Sequence, residues 1–186
     1  TPEVFDGLKK GGYGEKIEPA IPVDLGKLLA LDNKQFDRRL LSGFWTYVYL
    51  DSSHCDQLCK RNIFYLRQTR VTQGRHADNV KVLWVLTDSE KLETLKPEIA
   101  KLTDVLIVIL PEKEKSTFLD LFKKSQKSAP RQGSRSIFLM NPNQKLVRYY
   151  DTGNKAELDP KLAKGMRKDL KYILKFKIIK AGKGEK

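Results

Sequence analysis

The two cysteines, Cys55 and Cys59, are the residues whose type and spacing most directly indicate chemistry. They are the only cysteines among 186 residues, and three residues separate them. Residues four apart on a helix share a face, and a Cα separation of about 6 Å permits a disulfide. The unpaired N–H groups at a helix start stabilise a thiolate, so at least one thiol is expected to have a lowered pKa. The charge of Asp56 would oppose this effect, whereas a protonated His54 would support it.

Three kinds of site remain open for this cysteine pair. A static disulfide, or two buried thiols, is the first, although closing so short a loop adds little stability. A redox-active dithiol is the second, in which Cys55 attacks a partner and Cys59 resolves the mixed disulfide. A soft-metal site is the third, because two thiolates select Cu(I) or Zn(II). The sequence lacks the second ligand pair that tetrahedral zinc requires, so redox chemistry and Cu(I) are the functional alternatives.

The elements that must position the cysteines follow an alternating pattern. An aromatic and β-branched run at 44–50 predicts a buried strand, and the polar stretch 55–73 predicts a helix that begins at the cysteines. The remaining pattern predicts strands at 80–86, 105–110, 136–140 and 146–150, and helices at 91–102, 113–126 and from about 160. Strands separated by helices need crossover connections. The predicted class is therefore α/β, with a central mixed sheet flanked by helices, a closing β-hairpin and a C-terminal helix.

The predicted domain organisation follows from composition. Enrichment in Gly and Pro over residues 1–26 predicts an extended lead-in, residues 27–178 form one domain, and residues 179–186 form a basic flexible tail. Apolar residues make up 40% of the chain, which is enough to build a core. The longest unbroken apolar run, residues 105–110, is too short to span a membrane.

The formal net charge of +13 is concentrated in two segments. Residues 160–186 carry ten basic and two acidic side chains, residues 123–135 carry five basic and no acidic ones, and the rest of the chain is balanced. Neither segment has zinc-finger spacing or a Gly-rich RNA-binding signature, so a nucleic-acid partner is not expected. A solvated helix face and loop would explain the charge, and contact with an acidic partner or an anionic membrane surface is the functional alternative.

The cysteine segment resembles that of the SCO/SenC family, which has the approximate motif Thr-His-Cys-Pro-x-x-Cys. Ser53, His54, Cys55 and Cys59 match this motif after a predicted strand, and residues 136–150 resemble the family's closing hairpin. The family comprises membrane-anchored, thioredoxin-like proteins implicated in assembling the copper centre of cytochrome c oxidase. The resemblance therefore implies a thioredoxin-like fold for this chain.

The departures from the family pattern concern copper. Asp56 stands where the family usually has Pro, and only Asp88 remains of a loop that often reads Asp-Pro-x-Arg-Asp. The family's distal His, which completes a Cys-Cys-His copper site, would fall near Gly133, and residues 131–135 contain no His. His54 is a disfavoured replacement, because residues adjacent in sequence do not converge on one ion as a distal ligand does.

The resemblance implies thiol–disulfide exchange during cytochrome c oxidase assembly, with Cys55 and Cys59 as the catalytic pair. Oxidase subunits or a redox protein would be the partners. The supporting residues are His54, Asp56, Asp88, Arg131 and Arg135; the two arginines could favour a nearby thiolate or an acidic partner but cannot bind copper.

Two alternatives to this function are a Cu(I) chaperone and a docking module. The chaperone would bind Cu(I) through Cys55 and Cys59. The docking module would be non-catalytic and would use the basic C-terminal helix, through Lys161, Lys164, Arg167, Lys168, Lys171 and Lys175. The implied location is the periplasmic face of a bacterial inner membrane, with an anchor ahead of residue 1. The mitochondrial intermembrane space is the less favoured location.

Overall fold

A single mixed sheet of seven strands forms the centre of the structure, a computed structural model that describes the backbone of residues 13–184 and the side chains of residues 13–175. The strands are β1 (Glu15–Pro22), β2 (Leu29–Ala30), β3 (Trp45–Asp51), β4 (Val80–Leu86), β5 (Leu106–Ile109), β6 (Arg135–Met140) and β7 (Lys145–Gly153). Their spatial order is β1-β7-β6-β3-β4-β5-β2. Strands β3, β4 and β5 are parallel and the other pairings are antiparallel, which confirms the predicted α/β class with a mixed sheet.

Four helices cover the two faces of this sheet: α1 (Gln57–Val71), α2 (Leu92–Ile99), α3 (Glu112–Ser125) and α4 (Pro160–Gly184). Successive side chains of a strand point to opposite faces. Accordingly, Tyr47 and Tyr49 of β3 belong to the core under α1, α2 and α4. Val48, between them, belongs to the core formed with α3 and with apolar residues from the segment before β3. The buried strand predicted at 44–50 therefore has an apolar layer on both sides.

Residues 15–22 differ from the extended lead-in that the sequence predicts over 1–26. They form the edge strand β1, which pairs with β7 from Glu15 opposite Tyr149 to Pro22 opposite Lys145. Proline cannot donate a ladder hydrogen bond, so it occurs in strands mainly at sheet edges, where β1 lies. The part of the lead-in over residues 1–12 lies outside the described residues.

The C-terminal segment also differs from its prediction, because α4 continues to Gly184 and includes residues 179–184 of the expected flexible tail. No proline interrupts the segment after residue 160. The last two residues lie outside the described part of the chain.

Buried Asp169 of α4 attaches the start of the described chain to the core. Its carboxylate accepts hydrogen bonds from the backbone N–H groups of Tyr13 and Gly14, at 3.0 and 3.1 Å, and from the Tyr150 hydroxyl at 2.8 Å. The Arg148 guanidinium donates to the carbonyl of Gly14 at 2.7 Å. These contacts join α4, β7 and the residues ahead of β1.

Candidate functional site

The two cysteines lie where strand β3 meets helix α1. The helix begins at Gln57 rather than at residue 55, so Cys55 lies in the preceding turn and Cys59 in the first helical turn. The reason is local: Asp56 is the N-cap, and its carboxylate accepts a hydrogen bond from the Cys59 N–H at 3.0 Å. Cys55 adopts a left-handed backbone conformation, with φ of 35°.

Cys55 and Cys59 form a disulfide, with a Cα separation of 5.0 Å. Of the three kinds of site left open by the sequence, the described state is therefore the oxidised pair. Cys59 is 0% exposed, whereas Cys55 is 6% exposed and lines a surface groove. Cys55 is therefore the cysteine nearer to the surface, and Cys59 is enclosed by the protein.

Arg135, at the start of β6, forms an ion pair with Asp56. Its guanidinium makes two hydrogen bonds to the Asp56 carboxylate, at 2.7 and 3.0 Å. The side-chain hydrogen bond from Arg135 holds the pKa of Asp56 below its ordinary value, assisted by the hydrogen bond from the Cys59 N–H. The carboxylate beside the disulfide is therefore ionised but paired.

The same guanidinium reaches a second carboxylate at the end of β3. Arg135 donates to Asp51 at 2.7 Å, and Asp51 also accepts a hydrogen bond from the hydroxyl of Tyr49. Hydrogen bonding to Asp56 raises the pKa of Arg135, and burial raises the pKa of Tyr49. Arg135 thus shares its one positive charge between two carboxylates, and it is a positioning residue that ties β6 to both ends of the cysteine turn.

Asp88 fixes the other side of the turn. Its carboxylate accepts hydrogen bonds from the N–H and hydroxyl groups of Ser53, and from the N–H of Glu90 at 3.3 Å. Burial raises the pKa of Asp88, but hydrogen bonds from Ser52 and Ser53 outweigh it, so the pKa lies below the ordinary value. Asp88 therefore holds the loop after β4 against the residues that precede Cys55.

The His54 side chain is paired with Glu90. Its Nε2 lies 2.9 Å from a carboxylate oxygen of Glu90, and both side chains are exposed. Among residues 13–175, the group of three side chains close enough to hold a metal ion consists of His54, Asp88 and Glu90, without either cysteine. Within that range, no third ligand side chain joins Cys55 and Cys59 in a group of this kind.

The remaining predicted site residue, Arg131, lies on the exposed loop before β6, and its carbonyl accepts a hydrogen bond from the Ser134 N–H at 2.9 Å. Gly133, near the expected position of the distal His, has φ of 79°. Sequence reasoning missed Asp51, Tyr49 and Glu90. The position of Asp51 at the end of the buried strand was an available signal, whereas the role of Glu90 depends on the loop conformation.

Comparison with known proteins identifies the family of this chain. The sequence profile of the family described as "Transmembrane-like, thioredoxin-like, C-terminal domain" matches residues 45–177. The chain belongs to this family. The match starts at β3 and so includes the cysteine turn, Arg135 and most of α4. No curated protein matches the chain.

Solved structures with the same fold include both copper proteins and thiol oxidoreductases. Copper-bound ScoI of Arabidopsis thaliana is 15% identical, with 86% of this chain and 98% of that chain covered and a TM-score of 0.58. Copper-bound yeast Sco1 is also 15% identical, covering 88% and 94% with a TM-score of 0.56. The thioredoxin domain of a thiol-disulfide oxidoreductase from Bacteroides vulgatus is 15% identical, covering 87% and 96% with a TM-score of 0.55.

These likenesses confirm the thioredoxin-like fold that the SCO/SenC resemblance implies. Among the described helices, none is long and apolar enough to cross a membrane.

Proposed function

We propose that this protein performs thiol–disulfide exchange during the assembly of cytochrome c oxidase. The observation that carries the proposal is the Cys55–Cys59 disulfide at the β3–α1 junction, where Cys55 borders the surface and Cys59 is fully buried. This asymmetry suits an exchange reaction, because one sulfur must be reached by the partner while the other leaves into a protected position.

The exchange runs in two balanced steps. A thiolate of a reduced partner attacks the Cys55 sulfur, the Cys55–Cys59 bond breaks, and Cys59 leaves with the electron pair as a thiolate. The second thiolate of the partner then attacks the partner sulfur of the mixed disulfide, and Cys55 leaves as a thiolate. The partner loses two electrons and becomes a disulfide. This protein gains the two electrons as two thiolates, which take up the protons that the partner thiols released and become a dithiol. With an oxidised partner the steps reverse, so Cys55 attacks and Cys59 resolves.

The oxidase setting rests on resemblance. The match of Ser53, His54, Cys55 and Cys59 to the SCO/SenC motif, and the fold shared with Sco proteins, support it. A disulfide used in chemistry fits an oxidising compartment, so we place the domain at the periplasmic face of a bacterial inner membrane. The partner would be an oxidase subunit or a redox protein of that compartment.

Trapping the mixed disulfide tests the exchange. A Cys59→Ser variant keeps the attacking Cys55 but cannot resolve, so it should accumulate a covalent adduct with an oxidised dithiol partner. The matched Cys55→Ser variant should form at least tenfold less adduct, because Cys59 is buried. Equal trapping by both variants, or no exchange by the wild type with any dithiol, would contradict the proposal.

Cu(I) carriage is the alternative for the same cysteines. Sco proteins of this fold have been solved with copper bound, which supports testing it. Here, however, reduction would supply two thiolates, and His54 is engaged with Glu90. Titration of the reduced protein with Cu(I) against a competing chelator decides the matter, with a Cys55→Ser/Cys59→Ser double variant as the control. Equal Cu(I) affinity of the two proteins would exclude a copper role for the cysteines.

Attachment to an anionic membrane surface is a second function that a specific observation favours. Five lysines recur every three or four residues on the exposed side of α4 and have no ion-pair partner among residues 13–175: Lys161, Lys164, Lys168, Lys171 and Lys175. Residues with this spacing share one helix face, so their charges add. Such a stripe is attracted to acidic lipid headgroups.

Co-sedimentation with vesicles tests this attachment. The wild type should bind vesicles that contain acidic phospholipid and should be released as salt is raised. A variant with Lys164, Lys168 and Lys171 changed to Gln should lose most of this binding. A charge-matched variant with Lys91, Lys101 and Lys113 changed to Gln should keep it, because these exposed lysines lie outside both basic segments. Equal binding of the two variants, or binding to neutral vesicles, would refute the proposal.

A further inference from the structure

A groove beside the disulfide is not used by the exchange chemistry itself. Its walls come from α1, β4 and α2, its volume is about 180 Å³, and Cys55 lies among its lining residues. Most of the wall is apolar, with Ile63, Trp84 and Ile99 as examples. An apolar cavity of about 150 Å³ accommodates a benzene ring, so this groove can accept one bulky apolar side chain.

Two aromatic residues in the groove wall have unusual surroundings, one in its exposure and the other in its hydrogen bonding. Phe64 of α1 is 56% exposed, although it is one of the largest apolar side chains. The indole N–H of Trp84 is buried and has no hydrogen-bond acceptor among the described residues. An exposed aromatic side chain beside a concave apolar surface is a feature that binding of another molecule can satisfy.

The charges at the groove edge favour a partner segment with a carboxylate near its cysteine. Lys60 follows Cys59 directly, is exposed, and makes no ion pair among residues 13–175. The other cation of the wall, Arg67, is already paired with Asp104 at 2.8 Å. Glu98 places an exposed carboxylate on the α2 wall, so attraction for a partner carboxylate is local to Lys60. The rest of the groove distinguishes partner segments by the shape of their apolar side chains.

We propose that this groove binds the polypeptide segment that flanks the reactive cysteine of the redox partner. A bulky apolar side chain of that segment enters the groove beside Phe64 and Trp84, and a carboxylate lies near Lys60. The inference rests on the proposed exchange function, because a partner sulfur bonded to Cys55 brings its neighbouring residues to the groove. Partner choice is then decided beside the disulfide rather than by the disulfide alone.

Two synthetic dithiol peptides test the groove. They are identical, with one carboxylate, except that a phenylalanine next to the cysteines of one is a serine in the other. Reduction of the Cys55–Cys59 disulfide by each peptide is followed by thiol alkylation and mass measurement. The wild type should react roughly tenfold faster with the phenylalanine peptide at low concentration, and the preference should appear in KM rather than kcat.

Variants of groove residues test whether the groove causes this preference for the phenylalanine peptide. Phe64→Ala should reduce the preference for the phenylalanine peptide to less than threefold, and Lys60→Glu should raise KM for both peptides. Val71→Ala is the matched control, because Val71 is 58% exposed on the same helix and does not line the groove. Each peptide rate is divided by the rate with dithiothreitol, so a general change in disulfide reactivity cancels. A preference that survives Phe64→Ala, or one that Val71→Ala removes equally, would overturn the groove assignment.

A redox-inactive peptide tests binding to the groove separately from disulfide exchange. With both peptide cysteines replaced by serine, the phenylalanine peptide should still change tryptophan fluorescence on binding. A Trp84→Phe variant should lose that change, because the other tryptophan, Trp45, does not line the groove and lies four ladder positions from the level of Trp84. Binding without any exchange would preserve the groove and refute the proposed function. Exchange with no binding preference and no fluorescence change would refute the groove alone.

Discussion

Replacing Asp56 tests how the cysteine turn is held, because this carboxylate has two separable tasks. It caps α1 through the Cys59 N–H, and it pairs with the Arg135 guanidinium. Asp56→Ala removes both contacts, whereas Asp56→Asn keeps a good capping side chain and removes the charge. The two substitutions therefore measure the cap and the ion pair separately in the oxidised protein.

The structure sets the magnitude of each effect. An N-cap is worth about 1 kcal/mol. The ion pair is partly exposed, with side-chain exposures of 26% for Arg135 and 55% for Asp56, so solvent screening limits it to about 0.5 kcal/mol. Asp56→Ala should therefore lower the free energy of unfolding by about 1.5 kcal/mol and Asp56→Asn by about 0.5 kcal/mol. For a chain of this size these values correspond to losses in Tm of roughly 3–6 °C and 1–2 °C.

The assay is urea unfolding followed by circular dichroism, repeated with Arg135→Met and with the double variants. Arg135→Met should cost more than Asp56→Asn, because it also leaves Asp51 without its cation. The coupling energy between Asp56 and Arg135 should be about 0.5 kcal/mol. Equal losses from Asp56→Ala and Asp56→Asn would refute the capping role, and a coupling energy of zero would refute the ion pair.

Acid provides an independent check on the same residue. Because the folded-state pKa of Asp56 is lowered, its charge stabilises the fold above the ordinary Asp pKa of about 4. This contribution is lost as the pH falls through the lowered folded-state pKa. The stability difference between wild type and Asp56→Asn should therefore be largest near neutral pH and should shrink below about pH 4. A difference that grows on acidification would contradict this assignment.

Three further substitutions have expected outcomes in the same unfolding assay. Asp169→Ala should destabilise the protein by about 3 kcal/mol, because it leaves the Tyr150 hydroxyl and two backbone N–H groups without their acceptor. A loss below about 1 kcal/mol would contradict the stabilising role of these Asp169 contacts. Gly165→Ala should also destabilise, because a Cβ there would meet the Tyr13 ring, and restored stability in a Gly165→Ala/Tyr13→Ala double variant would identify that contact as the cause. Gly153→Ala should cost about 1 kcal/mol through its φ of 69° alone, since nothing lies within 4 Å of the added Cβ.

Local pattern in the sequence carried the prediction of the central elements. The aromatic run at 44–50 is β3, and the closing hairpin and C-terminal helix lie where the periodicity places them. The helix after β3 begins two residues later than predicted, because Asp56 acts as its cap and leaves Cys55 in the turn. Strand β1 escaped prediction because it contains two prolines and follows a glycine-rich stretch, a pattern typical of a loop, and its strand character depends on pairing with β7.

The sequence by itself determined which chemistry is available to this protein: two thiols four residues apart, after a buried strand, in a chain with no histidine between α3 and β6. Only the tertiary structure decided how those thiols are surrounded. Arg135 meets Asp56 across 79 positions of sequence, and Asp88 meets Ser53 across 35. Such pairs depend on which strands are neighbours in the sheet, and periodicity within a segment contains no information about that order. The groove beside Cys55 has the same origin, because its walls belong to three elements that meet only in the folded chain.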